Sequence, residues 1–229
     1  MDISTYYGSI FLENSILFFL DLFDTIVSTT HLVMKRKKRN DMQSFPTIIQ
    51  YRHIHLSSVD HVLLFGENVK GTTLRKLGQK EQVVFQEMVE IIGKNGVILK
   101  AHVLGPERDK TQVELSATEA FALGINAPLR VSGDSDHSAS CILKGPKGEV
   151  QAKMCVIIPV RHLHLPPRLA KKYNLEQGSI ISLQTVQHPF QEIDQVIVRI
   201  HPTFRPEFHL TFDEASTFWL QTGDAVHLL

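Results

Sequence analysis

From Pro46 onward, short runs of apolar and β-branched residues alternate with turns rich in glycine, proline and asparagine. Examples are VVFQEMVEIIGKNGVILKAHVLGP, which starts at Val83, and CILKGPKGEVQAKMCVIIPV, which starts at Cys141. Residues 94–96 and 146–148 have the composition of hairpin turns between antiparallel strands. The pattern predicts a mainly β fold with a few short helices.

The predicted helices repeat one local pattern. ELSATEAFALGINAPL, HLPPRLAKKYNLEQGSII and HLTFDEASTFWLQTGDAV each place a polar residue and a leucine before a helix-opening residue, and HLSSVDHVLLFG is a weaker fourth copy. The helix-opening residues are Ser57, Ser116, Pro166 and Thr211. Gly124 and Asn174 suit a left-handed helix end. The repeat unit is therefore strand, cap, short helix, turn and strand.

Histidine is concentrated at the strand end of this unit. RHIHLS at residues 52–57 and RHLHLP at residues 161–166 each place two histidines on one face of a strand, because alternate side chains of a strand share a face. Imidazole and carboxylate ligands suit zinc or another borderline divalent ion. We expect two such ions, each with an open coordination position; the alternative is that these residues only fit the turn of a barrel repeat. The expected ligands are His53, His55, Glu114, His162, His164 and His209.

The first 46 residues differ from the rest. Residues 10–33 are rich in Phe, Leu and Ile with polar residues on one arc, which predicts an amphipathic helix, and a basic run follows at residues 35–39. Asp21 and Asp24 argue against a spanning helix, because each charge near a bilayer centre costs about 2.5–3.5 kcal/mol. The positive charge follows the apolar part, which argues against a secretory signal. Docking onto a partner or membrane surface, packing on the protein's own domain, and absence from the mature protein remain alternatives.

Composition changes this picture in three respects. The 229 residues contain 24 Lys and Arg against 24 Asp and Glu, so we expect no nucleic-acid partner, and any anion must be recognised locally. Cys141 and Cys155 are the two cysteines and form no C-x-x-C motif, which favours a reducing, cytoplasmic location. Twelve histidines are the compositional anomaly.

Other motifs narrow the chemistry. Arg108, in LGPERDKTQVE, lies just upstream of Glu114 and could bind a phosphate or carboxylate through paired hydrogen bonds. The turn at residues 129–134 could offer backbone donors. A P-loop is excluded because Thr72 follows Gly71 where lysine is needed. An open divalent site can polarise a carbonyl and stabilise a leaving thiolate, so hydrolysis and acyl transfer are both accessible. A binding module with structural metals is the non-enzymatic alternative.

Five motifs in a fixed order resemble one family. RHIHLS, LGPERDKTQVELSATEAFALGINAPLRVSGD, GPKG, RHLHL and FHLTFDEA are similar to the phosphate propanoyltransferases of bacterial microcompartments. The resemblance implies two β-barrels capped by short α-helices: one from residues 52–159, and one from residues 47–51 plus 160–229. Residues 1–46 are then an N-terminal extension. It also implies transfer of a propanoyl or acetyl group between coenzyme A and inorganic phosphate; a metal-dependent thioester or acyl-phosphate hydrolase is the alternative.

The resemblance assigns roles to individual residues. It implies that His53, His55 and Glu114 hold one Zn²⁺, or another divalent ion, whose remaining position accepts the coenzyme A sulphur. His162, His164 and His209 would hold the second. Arg108 matches the phosphate-binding, catalytic arginine. The positions that match coenzyme A contacts are Arg75, Leu104, His209 and Ser216, although Ser216 stands where asparagine is expected and His102 where arginine is expected.

The resemblance also bears on location. Many members of the family carry an N-terminal amphipathic peptide that directs them into a protein shell. Residues 10–33 are similar in character but longer and more aromatic. We therefore expect either the cytoplasm or a microcompartment lumen, with shell proteins as partners of the N-terminal helix; a homo-oligomer is a further expectation.

Overall fold

A computed structural model describes residues 43–79, 82–188 and 191–229. Residues Ser44–Leu229 form one compact unit. Within the described residues the chain is mainly β, as predicted. No helix among them is long and apolar enough to cross a bilayer. The amphipathic helix predicted at residues 10–33 lies outside the described residues.

Short strands follow one another along the chain with four short helices between them. The strands are β1 (Ser44–Gln50), β2 (His53–Ser57), β3 (Thr73–Lys76), β4 (Val83–Ile92), β5 (Ile98–Arg108), β6 (Gln112–Glu114), β7 (Leu129–Arg130), β8 (Ala139–Lys144), β9 (Glu149–Pro159), β10 (His162–Leu165), β11 (Ile180–Thr185), β12 (Glu192–Ile200), β13 (Glu207–Thr211) and β14 (Ala225–Leu228). The helices are α1 (Ser58–Phe65), α2 (Ala117–Ala122), α3 (Pro167–Lys172) and α4 (Phe212–Thr217).

Six strands close into what we name the middle barrel. Around the ring, β4 pairs with β5, β5 with β2, β2 with β6, β6 with β9, β9 with β8, and β8 with β4. The two predicted hairpin turns are confirmed, since Ile92 pairs with Ile98 and Lys144 pairs with Glu149. The side chains inside this barrel form a continuous apolar core.

The other six barrel strands close into what we name the terminal barrel. Its order is β1, β13, β10, β12, β11 and β14, and β14 returns to β1. β1 precedes the middle barrel in sequence, yet it pairs with β13 and β14 of the terminal barrel. β1 begins at Ser44, whereas the sequence placed the start of this barrel at residue 47. Both barrels lie in one compact unit, so the domain boundaries at residues 51/52 and 159/160 stay a prediction.

Each helix begins at the residue that the repeat predicted. Ser57, Ser116, Pro166 and Thr211 are the N-caps of α1, α2, α3 and α4. Ser116 and Thr211 form capping boxes with the glutamates three positions later. The predicted left-handed ends are confirmed, with φ of +65° at Gly124 and +54° at Asn174. The caps fix the point at which the chain leaves each ligand-bearing strand.

The two barrels repeat one arrangement of three strands. β2 lies between parallel β5 and antiparallel β6, and β10 lies between parallel β12 and antiparallel β13. His53 pairs with Glu114 and His162 pairs with His209 at equivalent registers. The alternate residues of β2 and β10 belong to the cores, so their histidines share the opposite face; these core residues are Ile54, Leu56, Leu163 and Leu165.

Candidate active site

His53, His55 and Glu114, which we name the middle triad, are gathered by β2 and β6. Each offers one ligand atom, and these atoms lie within 4.8 Å of one another. The two imidazole rings are 5.1 Å apart and nearly perpendicular. All three side chains are buried. These three residues would hold a divalent ion with one coordination position left for an exchangeable ligand.

His162, His164 and His209, which we name the terminal triad, occupy the equivalent place in the terminal barrel. Their ligand atoms also lie within 4.8 Å of one another. The rings of His162 and His209 are stacked 5.0 Å apart, and the ring of His164 lies 4.6 Å from the first and 4.4 Å from the second. Their exposed fractions are only 2%, 2% and 7%, so three imidazoles face each other away from bulk water.

Hydrogen bonds orient several of these rings. Nδ1 of His53 lies 2.9 Å from the carbonyl oxygen of Tyr51, and Nδ1 of His162 lies 2.8 Å from that of Val160. A carbonyl only accepts, so each Nδ1–H donates and each Nε2 carries a lone pair. The carbonyl of the residue two positions earlier therefore fixes the tautomer of the first histidine in both motifs.

Gln79 contacts the third histidine, His164. Its side-chain Nε2 lies 2.9 Å from Nδ1 of His164. A half-turn of the amide would exchange its nitrogen and oxygen, and with the oxygen against Nδ1–H the Nε2 of His164 would carry the lone pair that a metal needs. Within the described residues, Nε2 of His164 and Nε2 of His209 are buried without a hydrogen-bond partner. Buried nitrogens of this kind are expected to have a partner, and a metal ion is a suitable one.

Glu114 is held by one of its two carboxylate oxygens. Its Oε1 accepts hydrogen bonds from Gln112 Nε2 and from Ser132 Oγ, both at 2.6 Å. The backbone N–H of Gly133 donates to Gln112 Oε1 at 2.8 Å. The polar turn at residues 129–134 thus supports the carboxylate. Oε2 lies 3.4 Å from His53 Nε2 and has no hydrogen-bond partner among the described residues, so it is available to a metal.

Burial and neighbouring charges set the protonation of both triads. Burial lowers the pKa of His162 to about 3, with His209 adding to the effect, and burial also lowers the pKa of His164. Burial alone would lower the pKa of His53, but the carboxylate of Glu114 raises it above its ordinary value. Burial, followed by His53, holds the pKa of His55 well below its ordinary value. Neutral imidazole is the form that binds metal.

One cavity of about 550 Å³ is lined by both triads, so the predicted convergence of the six side chains is observed. Arg108 lines it too, with its Nη2 2.7 Å from Nε2 of His55. Arg75 on β3 and Leu104 on β5 also face this cavity, as does His102. Ser216 does not line it: this exposed residue donates its Oγ–H to the carbonyl of Phe212 at 3.0 Å within α4.

The sequence interpretation missed several residues of the cavity wall. Glu207 and Gln112 each precede a ligand by two positions on the same strand, so strand alternation could have identified them. Arg199 reaches the site only because β12 pairs with β10. The missed lining residues include Gln79, Arg199, Phe204 and Glu207, with Gln112 behind Glu114.

The cavity is cationic although the chain as a whole is neutral. Its charged lining residues are Arg52, Arg75, Lys76, Arg108 and Arg199 against Glu114 and Glu207. Anions are therefore attracted to this cavity and not to the surface at large. The two triads also fit borderline divalent ions, because their donors are imidazole nitrogens and one carboxylate, partly without other partners.

The sequence of the chain matches one family of known proteins. A family model described as phosphate propanoyltransferase matches residues 46–221. A phosphate propanoyltransferase of Thermotoga maritima is 38% identical, over 79% of this chain and 87% of that protein. One of Listeria monocytogenes is 37% identical over 75% and 81%, and one of Shewanella putrefaciens is 35% identical over 89% and 95%. The chain therefore belongs to the phosphate propanoyltransferase family of acyltransferases.

Proposed function

We propose that the chain transfers a short acyl group between coenzyme A and inorganic phosphate at a centre of two divalent ions. The observation that carries the proposal is that two sets of three metal-ligand residues share one cationic cavity with Arg108. The names of its relatives supply the reaction class and point to propanoyl as the acyl group.

The middle triad would hold one ion and the terminal triad the other. The histidine-rich ligand sets favour zinc over magnesium or calcium, which prefer oxygen ligands. When bound, such ions polarise a carbonyl oxygen and stabilise an anionic sulphur. The protein contributes the buried walls, the fixed imidazole tautomers and the supported carboxylate of Glu114.

In the reaction, an oxygen of phosphate attacks the thioester carbonyl carbon of acyl-coenzyme A. A C–O bond forms, the C–S bond breaks, and the phosphate proton goes to the departing sulphur, which yields acyl phosphate and free coenzyme A. Arg108 would hold the phosphate through paired N–H donors and stabilise the charge that develops on the carbonyl adduct. The reverse reaction uses the same groups.

Coenzyme A would enter along the strands that lead to the middle triad. Arg75 and Lys76 offer charges for its phosphates, and Val84 and Leu104 offer apolar contacts. His102 stands where the resemblance led us to expect arginine; its Nδ1 is tied to the carbonyl oxygen of Phe85 at 2.8 Å. This side chain supplies a weaker attraction for an anion than a guanidinium does.

The direct test follows free thiol released from propanoyl-coenzyme A with and without phosphate. The proposal predicts thiol release that requires phosphate and yields one acyl phosphate per thiol. Thiol release without phosphate would establish the hydrolase instead. Acetyl-coenzyme A in parallel reports the acyl preference. Metal analysis of the same sample should give two divalent ions per chain, and none after substitution of both triads.

We further propose that residues 10–33 act as a peptide that directs the enzyme into a protein shell, with the microcompartment lumen as its location. Support comes from the amphipathic pattern of these residues and from the family resemblance. A fluorescent protein fused behind residues 1–46 should concentrate inside shells in cells that form them. A double variant, Phe19→Asp and Phe23→Asp, should remain dispersed.

A further inference from the structure

Besides Arg52, Arg75 and Arg108, the cavity is lined by Arg199, which the terminal barrel supplies. It lies on β12, where it pairs with His164 of β10 in register. Its guanidinium carbon is 6.0 Å from the centre of the Phe204 ring, and that ring stacks on His164 with centroids 3.9 Å apart. Arg199 therefore stands beside the terminal triad, whereas Arg108 contacts the middle triad.

The guanidinium of Arg199 has no anionic partner among the described residues 43–79, 82–188 and 191–229. No carboxylate oxygen there lies within 4.0 Å of its nitrogens, and it forms no hydrogen bond with any of them. By contrast, Arg52 and Arg161 at the edges of the two barrels are paired with Glu119 at 2.6 Å and with Glu214 at 3.2 Å. A half-buried guanidinium without a partner costs free energy unless a ligand supplies one.

The equivalent position of the middle barrel shows that the fold does not need this charge. Leu104 pairs with His55 across parallel strands just as Arg199 pairs with His164. Leu104 is only 8% exposed and packs without a polar group. The strand arrangement thus accepts an aliphatic side chain here, so the arginine at position 199 calls for a reason outside the architecture of the barrel.

The two arginines also affect one another. Burial lowers the pKa of Arg108, and the positive charge of Arg199 lowers it further, although Glu114 acts in the opposite sense. Two guanidinium groups in one low-dielectric cavity repel each other, and two bound cations would add to this repulsion. A compact dianion between them removes the repulsion and satisfies both sets of N–H donors.

We propose that Arg199 is a second phosphate-binding residue that acts with Arg108, so that one arginine from each barrel holds the inorganic phosphate or the phosphoryl group of acyl phosphate. This inference rests on the proposed function. Phosphate suits the task because its several equivalent oxygens can accept forked hydrogen bonds from two directions. A thioester carbonyl has a single oxygen, so it cannot accept paired hydrogen bonds from both guanidinium groups.

The experiment measures steady-state thiol release with phosphate and propanoyl-coenzyme A varied in turn. The variants are Arg199→Gln, Arg199→Lys and the matched control Arg168→Gln, since Arg168 is an exposed arginine of the same barrel that does not line the cavity. We expect Arg199→Gln to raise the KM for phosphate about 10–100-fold, because a charge-assisted pair is lost. The KM for propanoyl-coenzyme A should change less than about two-fold, and the control should match the wild type in both.

Calorimetric titration with inorganic phosphate alone gives a readout without turnover. Wild-type and Arg168→Gln proteins should bind phosphate equally, and Arg199→Gln should bind it at least about ten-fold more weakly. Arg199→Lys keeps the positive charge but loses the paired N–H donors, so its affinity for phosphate should lie between those of the wild type and Arg199→Gln. This titration still reports on Arg199 if the wild type shows no phosphate-dependent thiol release, which would instead contradict the proposed function.

Two results would overturn the role of Arg199. One is unchanged phosphate affinity in Arg199→Gln, and the other is a raised KM for propanoyl-coenzyme A with that for phosphate unchanged, which would assign Arg199 to coenzyme A. If Arg199→Gln does not fold, the folded Arg199→Lys protein decides: wild-type phosphate affinity in that variant contradicts the proposal.

Discussion

Nη2 of Arg108 donates a hydrogen bond to Nε2 of His55 across 2.7 Å. A guanidinium has no acceptor, so His55 must be neutral, with its Nε2 lone pair directed at Arg108. The low pKa of His55, caused by burial and then by His53, agrees with this assignment. A metal ion held by the middle triad through this nitrogen would need the same lone pair, so it would compete with Arg108 for it.

Substitution of Arg108 should therefore affect catalysis and metal binding differently. We expect Arg108→Gln to lower kcat about 10²–10³-fold, because a donor to the developing charge is lost. Its affinity for Zn²⁺ at the middle triad should be equal to or higher than that of the wild type, because the competing guanidinium is gone. Zinc competition with a chromogenic chelator measures this affinity, with Arg168→Gln as control. If Arg108→Gln lost its zinc as well as its activity, this expectation would be contradicted.

Metal affinity should depend on pH more strongly at the middle triad than at the terminal triad. The pKa of His53 is raised by Glu114, so as pH falls His53 takes up a proton at a higher pH than an ordinary histidine does, and the middle triad loses affinity first. The pKa of His162 is lowered to about 3 and that of His164 is also lowered, so these rings stay neutral throughout the same range.

Variants that keep one triad each allow the comparison. His55→Ala leaves the terminal triad, and His164→Ala leaves the middle triad. Zinc affinity measured between pH 8 and pH 6 should decline more steeply in His164→Ala. Titrations in buffers of different ionisation heat should show more protons released on zinc binding to that variant. Equal slopes in the two variants would disprove the electrostatic assignment.

Gln79 should matter to the terminal triad alone. Its amide lies 2.9 Å from Nδ1 of His164, and removal of such a supporting partner typically weakens metal binding about 10–100-fold. We expect this loss at the terminal triad in Gln79→Ala, with the middle triad unaffected. Gln86→Ala, an exposed glutamine on β4 that does not line the cavity, is the control. The measurement is zinc affinity, combined with the His55→Ala background so that only one site is observed.

Gly93 should tolerate no side chain. A Cβ at this position would clash with the backbone carbonyl oxygen of Leu123, at the end of α2. Gly96, in the same turn, has open space but a φ of +79°. We expect Gly93→Ala to lower the free energy of unfolding by about 3 kcal/mol through overpacking, against about 1 kcal/mol for Gly96→Ala through backbone strain. Urea denaturation measures the free energy of unfolding of both variants. Equal losses of stability would contradict the close contact between Gly93 and Leu123.

Local sequence patterns predicted much of the site. The helix starts at Ser57, Ser116, Pro166 and Thr211 follow from capping preferences, and these preferences act over a few residues. The shared face of the paired histidines follows from strand alternation alone. Because the ligands occupy the same place in each repeat, their convergence could be inferred without knowledge of the long-range pairing.

Residues brought in by distant pairing could not be inferred in this way. Arg199 reaches His164 through the register between β10 and β12, and nothing near it in sequence indicates that register. Gln79 reaches the same histidine from the neighbouring barrel. Ser216 shows the converse: the family resemblance suggested a ligand contact, but its side chain is exposed on α4, so its role in coenzyme A binding stays a prediction.

The position of β1 has a consequence for how the nascent chain folds. All strands of the middle barrel lie between residues 53 and 159, so this barrel can close while the ribosome is still adding the remainder. β1 is synthesised earlier, yet both of its edges wait for β13 and β14. Until those strands are synthesised, β1 is an unpaired strand, and such strands can pair with other chains and aggregate. We therefore expect chaperones to bind β1 during translation and to remain bound until β14, the last strand of the terminal barrel, has left the ribosome.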